Sequence, residues 1–300
     1  IQSLVQSNFA PDRIVPQASM AQYTTLRIGG PADVLVNVVS ADEIAVALHA
    51  AKNAGAPVTI IGNGSNLLVR DGGIRGLVLR ISGGLNAIRR EGDCLLVQAG
   101  ASLAAVAAFA RDEGLSGMAE LGGIPGTVGG GVLMNAGAYG AELAQLVTQA
   151  EGVSLSDGRR VIYPADRLDF AYRHSALMDA GVVITQATLA LTPGDPEAIR
   201  ARMEECAKAR REKQPLTLPS AGSTFKRPEG HFAAKLIDDC GLRGLTVGGA
   251  QVSEKHAGFI VNIGGATARD MLELMRQVEQ RVFEQTGVQL EPEVRILGED

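Results

Sequence analysis

The sequence predicts an α+β protein with more than one domain. Its 300 residues are about twice the length of a typical domain. Capped helices alternate with short apolar strands in the N-terminal half, and the last hundred residues combine a long amphipathic helix with a terminal strand. The segment 192–196 (Thr-Pro-Gly-Asp-Pro) favours a boundary near residue 195. We therefore expect domains over 1–195 and 196–300.

The individual elements follow from caps and apolar runs. Ser40 and Glu43 form a capping box, Asp195 and Pro196 fit a helix cap and first turn, and Gly287 fits a helix end. Helices are predicted over 40–55, 102–113, 195–211 and 267–287. Strands are predicted over 57–61, 77–81, 94–98, 151–155, 160–163 and 182–192, and within 288–297. The pair 151–155 and 160–163 reads as a β-hairpin with an Asp-Gly turn.

Composition and charge exclude several classes of protein. The chain is 46% hydrophobic, which excludes a disordered chain. It carries 28 basic and 33 acidic residues, a net charge of −5, whereas a dedicated nucleic-acid binder would be basic. Gly is unusually frequent, at 37 residues, in a chain without a collagen repeat. Such glycines indicate tight turns or backbone that approaches a ligand closely.

Cysteine, histidine and hydropathy patterns give further expectations. The three cysteines lack a CxxC spacing and predict buried, reduced thiols, and the four histidines show no metal-binding spacing. These residues are Cys94, Cys206, Cys240, His49, His174, His231 and His256. Residues 1–20 lack the basic start and apolar run of a secretory signal. The one long uncharged stretch, 121–141, is too rich in Gly for a membrane helix, so we expect no membrane insertion.

Two glycine-rich segments are candidates for binding a phosphate or a nucleotide. Residues 62–66 (Gly-Asn-Gly-Ser-Asn) fit either a phosphate-binding turn or a tight hairpin turn, and match neither a Rossmann fingerprint nor a P-loop. Residues 122–131 are too apolar for a solvated linker, and residues 135–142 extend them. The two segments together favour convergence on one extended ligand.

Three further motifs leave alternatives open. Arg173 in 170–175 fits either a bidentate partner of a carboxylate or a side chain that extends from a strand edge. Residues 220–228 fit a turn with local Ser and Thr hydrogen bonds and lack a GxSxG nucleophile motif. Glu293 alternates with apolar neighbours, as on the solvent face of an edge strand. Spacing alone does not choose between these interpretations.

Seven short motifs occur in one order along the chain. They lie at 27–32 (Arg-Ile-Gly-Gly-Pro-Ala), 61–68 (Ile-Gly-Asn-Gly-Ser-Asn-Leu-Leu), 123–130 (Gly-Ile-Pro-Gly-Thr-Val-Gly-Gly), 135–140 (Asn-Ala-Gly-Ala-Tyr-Gly), 172–175 (Tyr-Arg-His-Ser), 222–226 (Gly-Ser-Thr-Phe-Lys) and 290–295 (Leu-Glu-Pro-Glu-Val-Arg). Together they closely resemble the UDP-N-acetylenolpyruvoylglucosamine reductase family of bacterial cell-wall synthesis. The resemblance extends over about residues 20–297, and the spacing between 175 and 223 is that of the family's shorter, type II branch.

The resemblance implies a vanillyl-alcohol-oxidase (PCMH)-type FAD-binding domain over 1–195, with α+β subdomains of about 1–76 and 77–195. An α+β substrate-binding domain over 196–300 follows. The implied cofactor is non-covalent FAD, with NADPH as the co-substrate. The implied FAD-binding residues are Ile61, Gly62, Asn63, Gly64, Ser65, Asn66, Gly123, Ile124, Pro125, Gly126, Thr127, Gly130, Ala136 and Gly137.

The resemblance also implies a reaction and a cytoplasmic location. The family reduces UDP-N-acetyl-3-O-(1-carboxyvinyl)-glucosamine to UDP-N-acetylmuramate. Arg173 and Glu293 match the pair that stabilises the negatively charged intermediate, and Ser223 matches the proton donor. The implied substrate-binding residues are Arg210, Lys213, Lys226, Arg227 and His256. At 227 another branch of the family has Asn, so the Arg is a departure.

Three rival functions remain open on the residues alone. The first is another FAD oxidase of this fold, acting on a sugar or a hydroxy acid. Many such oxidases attach the flavin through a His near the first glycine-rich loop, and residues 57–76 contain none. The second is a nucleotide-sugar-binding protein without redox activity, which would be colourless. The third is an inactive regulator, disfavoured because the implied catalytic residues are all present.

Overall fold

The computed structural model describes residues 8–300. The first seven positions of the segment 1–20, in which we expect no secretory signal, lie outside the described residues. The helices are α1 (Ala41–Asn53), α2 (Leu103–Asp112), α3 (Val128–Leu133), α4 (Pro196–Lys213), α5 (Ala233–Asp239) and α6 (Ala268–Thr286). The strands are β1 (Ile14–Ser19), β2 (Pro31–Asn37), β3 (Val58–Ile61), β4 (Leu67–Val69), β5 (Ile74–Arg80), β6 (Ile88–Glu91), β7 (Cys94–Gln98), β8 (Leu115–Ser116), β9 (Gly137–Ala138), β10 (Ala141–Glu142), β11 (Val147–Ser154), β12 (Arg160–Pro164), β13 (Val182–Ala190), β14 (Thr192–Pro193), β15 (Thr246–Val247), β16 (Ala250–Val252), β17 (Ile260–Asn262) and β18 (Arg295–Leu297).

The four predicted helices are confirmed, and their caps explain where they begin. The Ser40 hydroxyl accepts a hydrogen bond from the Glu43 amide at the start of α1. In α6 the Thr267 and Asp270 side chains form a reciprocal capping box. Gly287, with φ at +71°, ends α6 in the left-handed conformation that favours glycine. Local polar chemistry therefore sets these helix ends, as the sequence indicates.

The strands form two larger sheets and several small ones. The five-stranded sheet has the order β12-β11-β13-β7-β6 and is antiparallel throughout. It contains the predicted hairpin of β11 and β12. In the four-stranded sheet, of order β1-β2-β5-β3, β3 pairs in parallel with β5. A three-stranded sheet is formed by β15, β16 and β17, and β18 pairs in parallel with β4.

The chain divides into two compact units that alternate along the sequence. Unit 1 comprises the described residues of Ile1–Pro16, together with Val34–Asn63 and Gly76–Arg210. Unit 2 comprises Gln17–Asp33, Gly64–Arg75 and Arg211–Asp300. Each unit has its own buried apolar core. The contiguous domains expected on either side of residue 195 stay a prediction.

Some features differ from the sequence analysis. The short helices α3 and α5 were not predicted. All three cysteines are free thiols, but only Cys206 is buried, and the other two are half-buried. Burial raises the pKa of the Cys206 thiol. Among residues 8–300 no helix is both long and apolar enough to cross a bilayer.

Candidate active site

The two glycine-rich segments adjoin within unit 1. Gly62 follows β3 directly, and its carbonyl accepts a hydrogen bond of 3.0 Å from the Ser82 hydroxyl. A Cβ atom on Gly62 would lie 2.6 Å from the hydroxyl oxygen of Thr127. Only a residue without a side chain therefore fits between the two segments without displacing Thr127.

The second glycine-rich segment is fixed in place and is not a flexible loop. The Gly126 carbonyl accepts a hydrogen bond from the Leu103 amide, and the amides of Val128 and Gly129 donate to the carbonyls of Ala101 and Ala99. Thr127 caps α3 by accepting from the Gly130 amide. The segment thus presents a rigid backbone surface next to Gly62.

Residues 64–66 of the first glycine-rich segment belong to unit 2, where they form hydrogen bonds with neighbouring segments, including the one that carries Glu293. The carbonyl of Gly64, which has φ at +63°, accepts from the Thr25 amide. The Asn66 side chain donates a hydrogen bond of 3.0 Å to the Glu293 carbonyl, and the Arg295 amide donates to the Asn66 carbonyl. These contacts use carbonyls and one side chain. No hydrogen bond donated by the amides of Gly64 or Ser65 occurs among residues 8–300.

Ser223 and Glu293 lie on neighbouring extended segments of unit 2. The Glu293 amide donates a hydrogen bond of 2.8 Å to the Thr224 carbonyl, and Phe225 pairs with Pro292 in an antiparallel bridge. The Ser223 side chain is exposed and that of Glu293 is half-buried. The structure therefore pairs the backbone segments that carry Ser223 and Glu293, which are 70 positions apart. Glu293 precedes β18 and is not part of that strand.

Thr224 anchors this arrangement, and the sequence analysis did not single it out as functional. It is 2% exposed, and its hydroxyl accepts a hydrogen bond of 2.9 Å from the Ile260 amide at the start of β17. Its own amide donates to the Gly258 carbonyl. The segment that carries Ser223 is thus fastened to the three-stranded sheet. A buried Thr beside a candidate Ser is a signal too weak to be recognised from sequence.

Arg173 belongs to unit 1 and lies in a tight turn. The amides of Ala171 and His174 each donate to the other residue's carbonyl, and Arg173 has φ at +54°. Its guanidinium lies 4.9 Å from the Tyr172 ring and donates long hydrogen bonds to the carbonyls of Asn135 and Gly137, at 3.5 and 3.4 Å. The predicted FAD-binding pair at 136–137 therefore adjoins a predicted catalytic residue. Arg173 lies on a turn, so it does not extend from a strand edge.

Arg210 contacts the predicted FAD-binding segment. Its guanidinium donates a hydrogen bond to the Gly123 carbonyl, while its Nε is buried and has no partner among residues 8–300. A cavity of about 490 Å³ in unit 1 is lined by Arg210 together with Arg111, Arg200 and Tyr139. The lining also includes Glu204, and Arg111 and Arg200 form ion pairs with Asp112 and Glu197.

The other predicted substrate residues lie in unit 2 in different settings. Lys213 is exposed at the end of α4. Lys226 forms an ion pair of 3.1 Å with Glu291, next to the Ser223 segment. Arg227 stacks over the Phe232 ring at 4.0 Å. The Arg that departs from the other family branch thus has an aromatic partner of its own.

His256 is half-buried and packs edge-on against Phe259, with ring centroids 4.9 Å apart. Its Nδ1 accepts a hydrogen bond of 3.2 Å from the Gly258 amide. Burial lowers the pKa of His256 below the ordinary value of 6.5. At pH 7 His256 is therefore neutral, and any contact with a substrate would use a neutral Nε2–H donor.

We expect this lowered pKa to reduce stability in acid. Below about pH 6.5 the unfolded chain binds a proton at His256 that the folded protein does not, so the free energy of unfolding falls as pH falls from 7 toward the folded-state pKa. Urea unfolding at pH 7.0 and pH 5.5 measures this, and His256→Gln should lose less stability over that interval than the unchanged protein. An equal loss in both would contradict the assignment.

Two family models match separate parts of this chain. Residues 32–162 match the family model described as FAD binding domain. Residues 214–297 match the model described as UDP-N-acetylenolpyruvoylglucosamine reductase, C-terminal domain. The protein is an FAD-dependent oxidoreductase in which an FAD-binding domain is followed by this C-terminal domain, and the predicted cofactor FAD is confirmed.

Curated relatives identify the family within this class. UDP-N-acetylenolpyruvoylglucosamine reductase from Pediococcus pentosaceus is 47% identical over 292 residues, which cover 97% of both chains. The protein of that name from Clostridium novyi is 44% identical over 300 residues, covering 100% of this chain and 97% of the relative. The crystal structure of the Thermus caldophilus enzyme (MurB) superposes with a TM-score of 0.81 at 39% identity, covering 94% of this chain and 98% of that one. The chain belongs to the UDP-N-acetylenolpyruvoylglucosamine reductase family of peptidoglycan precursor synthesis.

Proposed function

We propose that the protein reduces UDP-N-acetyl-3-O-(1-carboxyvinyl)-glucosamine to UDP-N-acetylmuramate with electrons from NADPH. The observation that carries this proposal is the pairing of the Ser223 and Glu293 segments through the Thr224 carbonyl. The paired segments carry a hydroxyl that can donate a proton and a carboxyl group, two groups that reduction of an enolpyruvyl ether can use. Because its substrates are nucleotides, we propose that the enzyme acts in the cytoplasm.

The glycine-rich segments fit FAD. The amides of Gly64 and Ser65 donate no hydrogen bond within residues 8–300, so a phosphate could accept hydrogen bonds from them. We propose that the cofactor is held by Ile61, Gly62, Asn63, Gly64, Ser65, Asn66, Gly123, Ile124, Pro125, Gly126, Thr127, Gly130, Ala136 and Gly137. When bound, FAD would supply two-electron redox chemistry between NADPH and the enolpyruvyl group of the substrate.

The protein's own residues then complete the reduction. Hydride addition builds negative charge on the neighbouring carbon and its carboxylate. The Arg173 guanidinium stabilises that charge by electrostatic attraction. Glu293 is its partner in stabilising the charged intermediate, as the family resemblance implies. The Ser223 hydroxyl gives its proton to the charged carbon, so that a C–H bond forms as the O–H bond breaks, and water then restores the hydroxyl proton.

The cationic residues support binding of a nucleoside diphosphate. The buried Nε of Arg210 has no partner among the described residues, and a phosphate oxygen would satisfy it. We propose Lys213, Lys226, Arg227 and His256 as further substrate contacts, His256 as a neutral donor. The Arg227 guanidinium lies 4.0 Å from the centre of the Phe232 ring, a cation–π contact that favours a side-chain position over that ring.

Stopped-flow flavin absorbance tests the proposal. We expect the purified protein to be yellow, to bleach with NADPH, and to recover its colour when the enolpyruvyl substrate is added without oxygen. UDP-N-acetylglucosamine, which lacks the enolpyruvyl group, is the matched control and should leave the reduced flavin unchanged. A colourless protein that binds the nucleotide sugar would instead favour a binding protein without redox activity. Reoxidation by oxygen alone would favour an oxidase.

A further inference from the structure

Buried polar side chains fasten both ends of the turn that carries Arg173. The Asn135 side chain donates a hydrogen bond of 3.0 Å to the Ala171 carbonyl, at the first residue of the turn. The Ser175 hydroxyl donates a hydrogen bond of 2.8 Å to the Leu133 carbonyl, just after the turn. Ser175 is 0% exposed and Asn135 is 1% exposed. Such bonds are worth more in a water-free interior, where an unmade one is costly.

Asn135 itself is held in an unusual conformation. Its φ is +43°, in the left-handed region that few residues other than Gly occupy. Both ends of its carboxamide are used, because Oδ1 accepts a hydrogen bond of 2.9 Å from the Ala144 amide while Nδ2 donates to Ala171. The side chain therefore bridges two separate segments, and a smaller polar residue would not reach both.

The guanidinium of Arg173 depends on this bridge. Its hydrogen bonds to the carbonyls of Asn135 and Gly137 are long, at 3.5 and 3.4 Å, and bonds of that length hold a side chain weakly. Arg173 also has a positive φ, which costs about 1 kcal/mol and is retained only where surrounding contacts enforce it. The turn fixes the backbone position from which the positively charged side chain of Arg173 extends.

We propose that Asn135, with Ser175, is a positioning residue for Arg173 in the substrate-reduction step. This inference rests on the function proposed above, because it assumes that Arg173 stabilises the charge formed on the substrate. The proposed role of Asn135 requires no contact between its side chain and the flavin or the substrate. It acts by keeping the turn at 171–174 against the segment 133–137.

A double-mutant cycle between Asn135 and Arg173 tests the proposal. Asn135→Gly removes both side-chain bonds and keeps the left-handed backbone without strain. We expect it to slow reoxidation of the NADPH-reduced flavin by the enolpyruvyl substrate by about 10- to 100-fold, the cost of a misplacement near 1 Å. In an Arg173→Ala background the same change should cost less than about twofold, because the residue that it positions is gone.

Other readouts separate positioning from a general structural role. The FAD dissociation constant and the rate of flavin reduction by NADPH should stay within about twofold of the unchanged protein. The NMR signal of the Arg173 Nε–H, assigned by its loss in Arg173→Lys, should shift in Asn135→Gly. Thr185→Val is the matched control, since it removes another buried hydroxyl-to-carbonyl bond of unit 1, to Glu151, and should leave that signal unchanged.

The possible failures are distinguishable. If Asn135→Gly costs the same factor with and without Arg173, or weakens FAD binding and both half-reactions alike, the positioning role is overturned. If Arg173→Ala alone leaves substrate reduction intact, the proposed role of Arg173 fails, and the positioning role fails with it. Should Asn135→Gly not fold, Ser175→Ala in the same cycle gives the same test from the other end of the turn.

Discussion

Ser223→Ala is expected to slow reduction of the enolpyruvyl substrate by about 10²–10⁴-fold, the usual contribution of a positioned proton donor. Flavin reduction by NADPH should stay within about twofold, because a hydride transfer to the cofactor does not use the Ser223 proton. The Ser223 side chain is exposed, so its loss leaves the core intact. Stopped-flow absorbance of the flavin, first with NADPH and then with substrate, measures the two steps separately.

Ser220→Ala is the matched control for this experiment. Ser220 lies three positions earlier on the same segment, where it pairs with Val261, and its carbonyl accepts a hydrogen bond from the Thr25 hydroxyl. Its own hydroxyl has no proposed role, so both half-reactions should be unchanged. An equal slowing of both half-reactions in Ser223→Ala would reject the proton-donor role and point to altered flavin binding.

Local signals explain how much of the fold could be predicted. The Ser40 and Thr267 caps act within one turn of helix, so their short sequence patterns suffice. The helix α3 was missed because Val128–Leu133 contains three glycines, which lower helix propensity. Packing overrides that propensity: a Cβ on Gly131 would lie 2.8 Å from a methyl of Leu143, and one on Gly129 would lie 2.9 Å from the Ala99 methyl. The glycines are there because neighbouring elements come close.

Part of the candidate site could likewise be predicted from the sequence, and part of it could not. The sequence predicts that the two glycine-rich segments converge on one extended ligand, and this stays a prediction. The structure places Gly62 of the first segment against Thr127 of the second. The segments that carry Ser223 and Glu293 pair although they are about 70 positions apart, and a local sequence pattern cannot predict so distant a pairing. The buried anchors Asn135 and Thr224 were missed because a polar residue in a loop looks the same whether it is solvated or buried. Their importance comes only from burial with satisfied hydrogen bonds.

Gly64→Ala is expected to destabilise the protein by about 3–5 kcal/mol, which is among the largest effects of single substitutions. Gly64 has φ at +63°, and an added Cβ would lie 2.0 Å from the Tyr23 carbonyl oxygen and 3.0 Å from Thr24 Cα. Both obstacles are backbone atoms, so no side chain can turn away to make room. Urea unfolding followed by far-UV circular dichroism measures the loss, and the purified variant should also retain less FAD.

Gly265→Ala separates the clash from the backbone conformation. Gly265 lies in the same unit with nearly the same φ, +67°, but an added Cβ would meet nothing within 4 Å. Its substitution should cost only the conformational strain of about 1–2 kcal/mol. Comparable losses in both variants would mean that φ alone requires a glycine at 64. A much larger loss at 64 would mean that the first glycine-rich loop is shaped by close contact with residues 23–24, since strain common to both positions cancels in the difference.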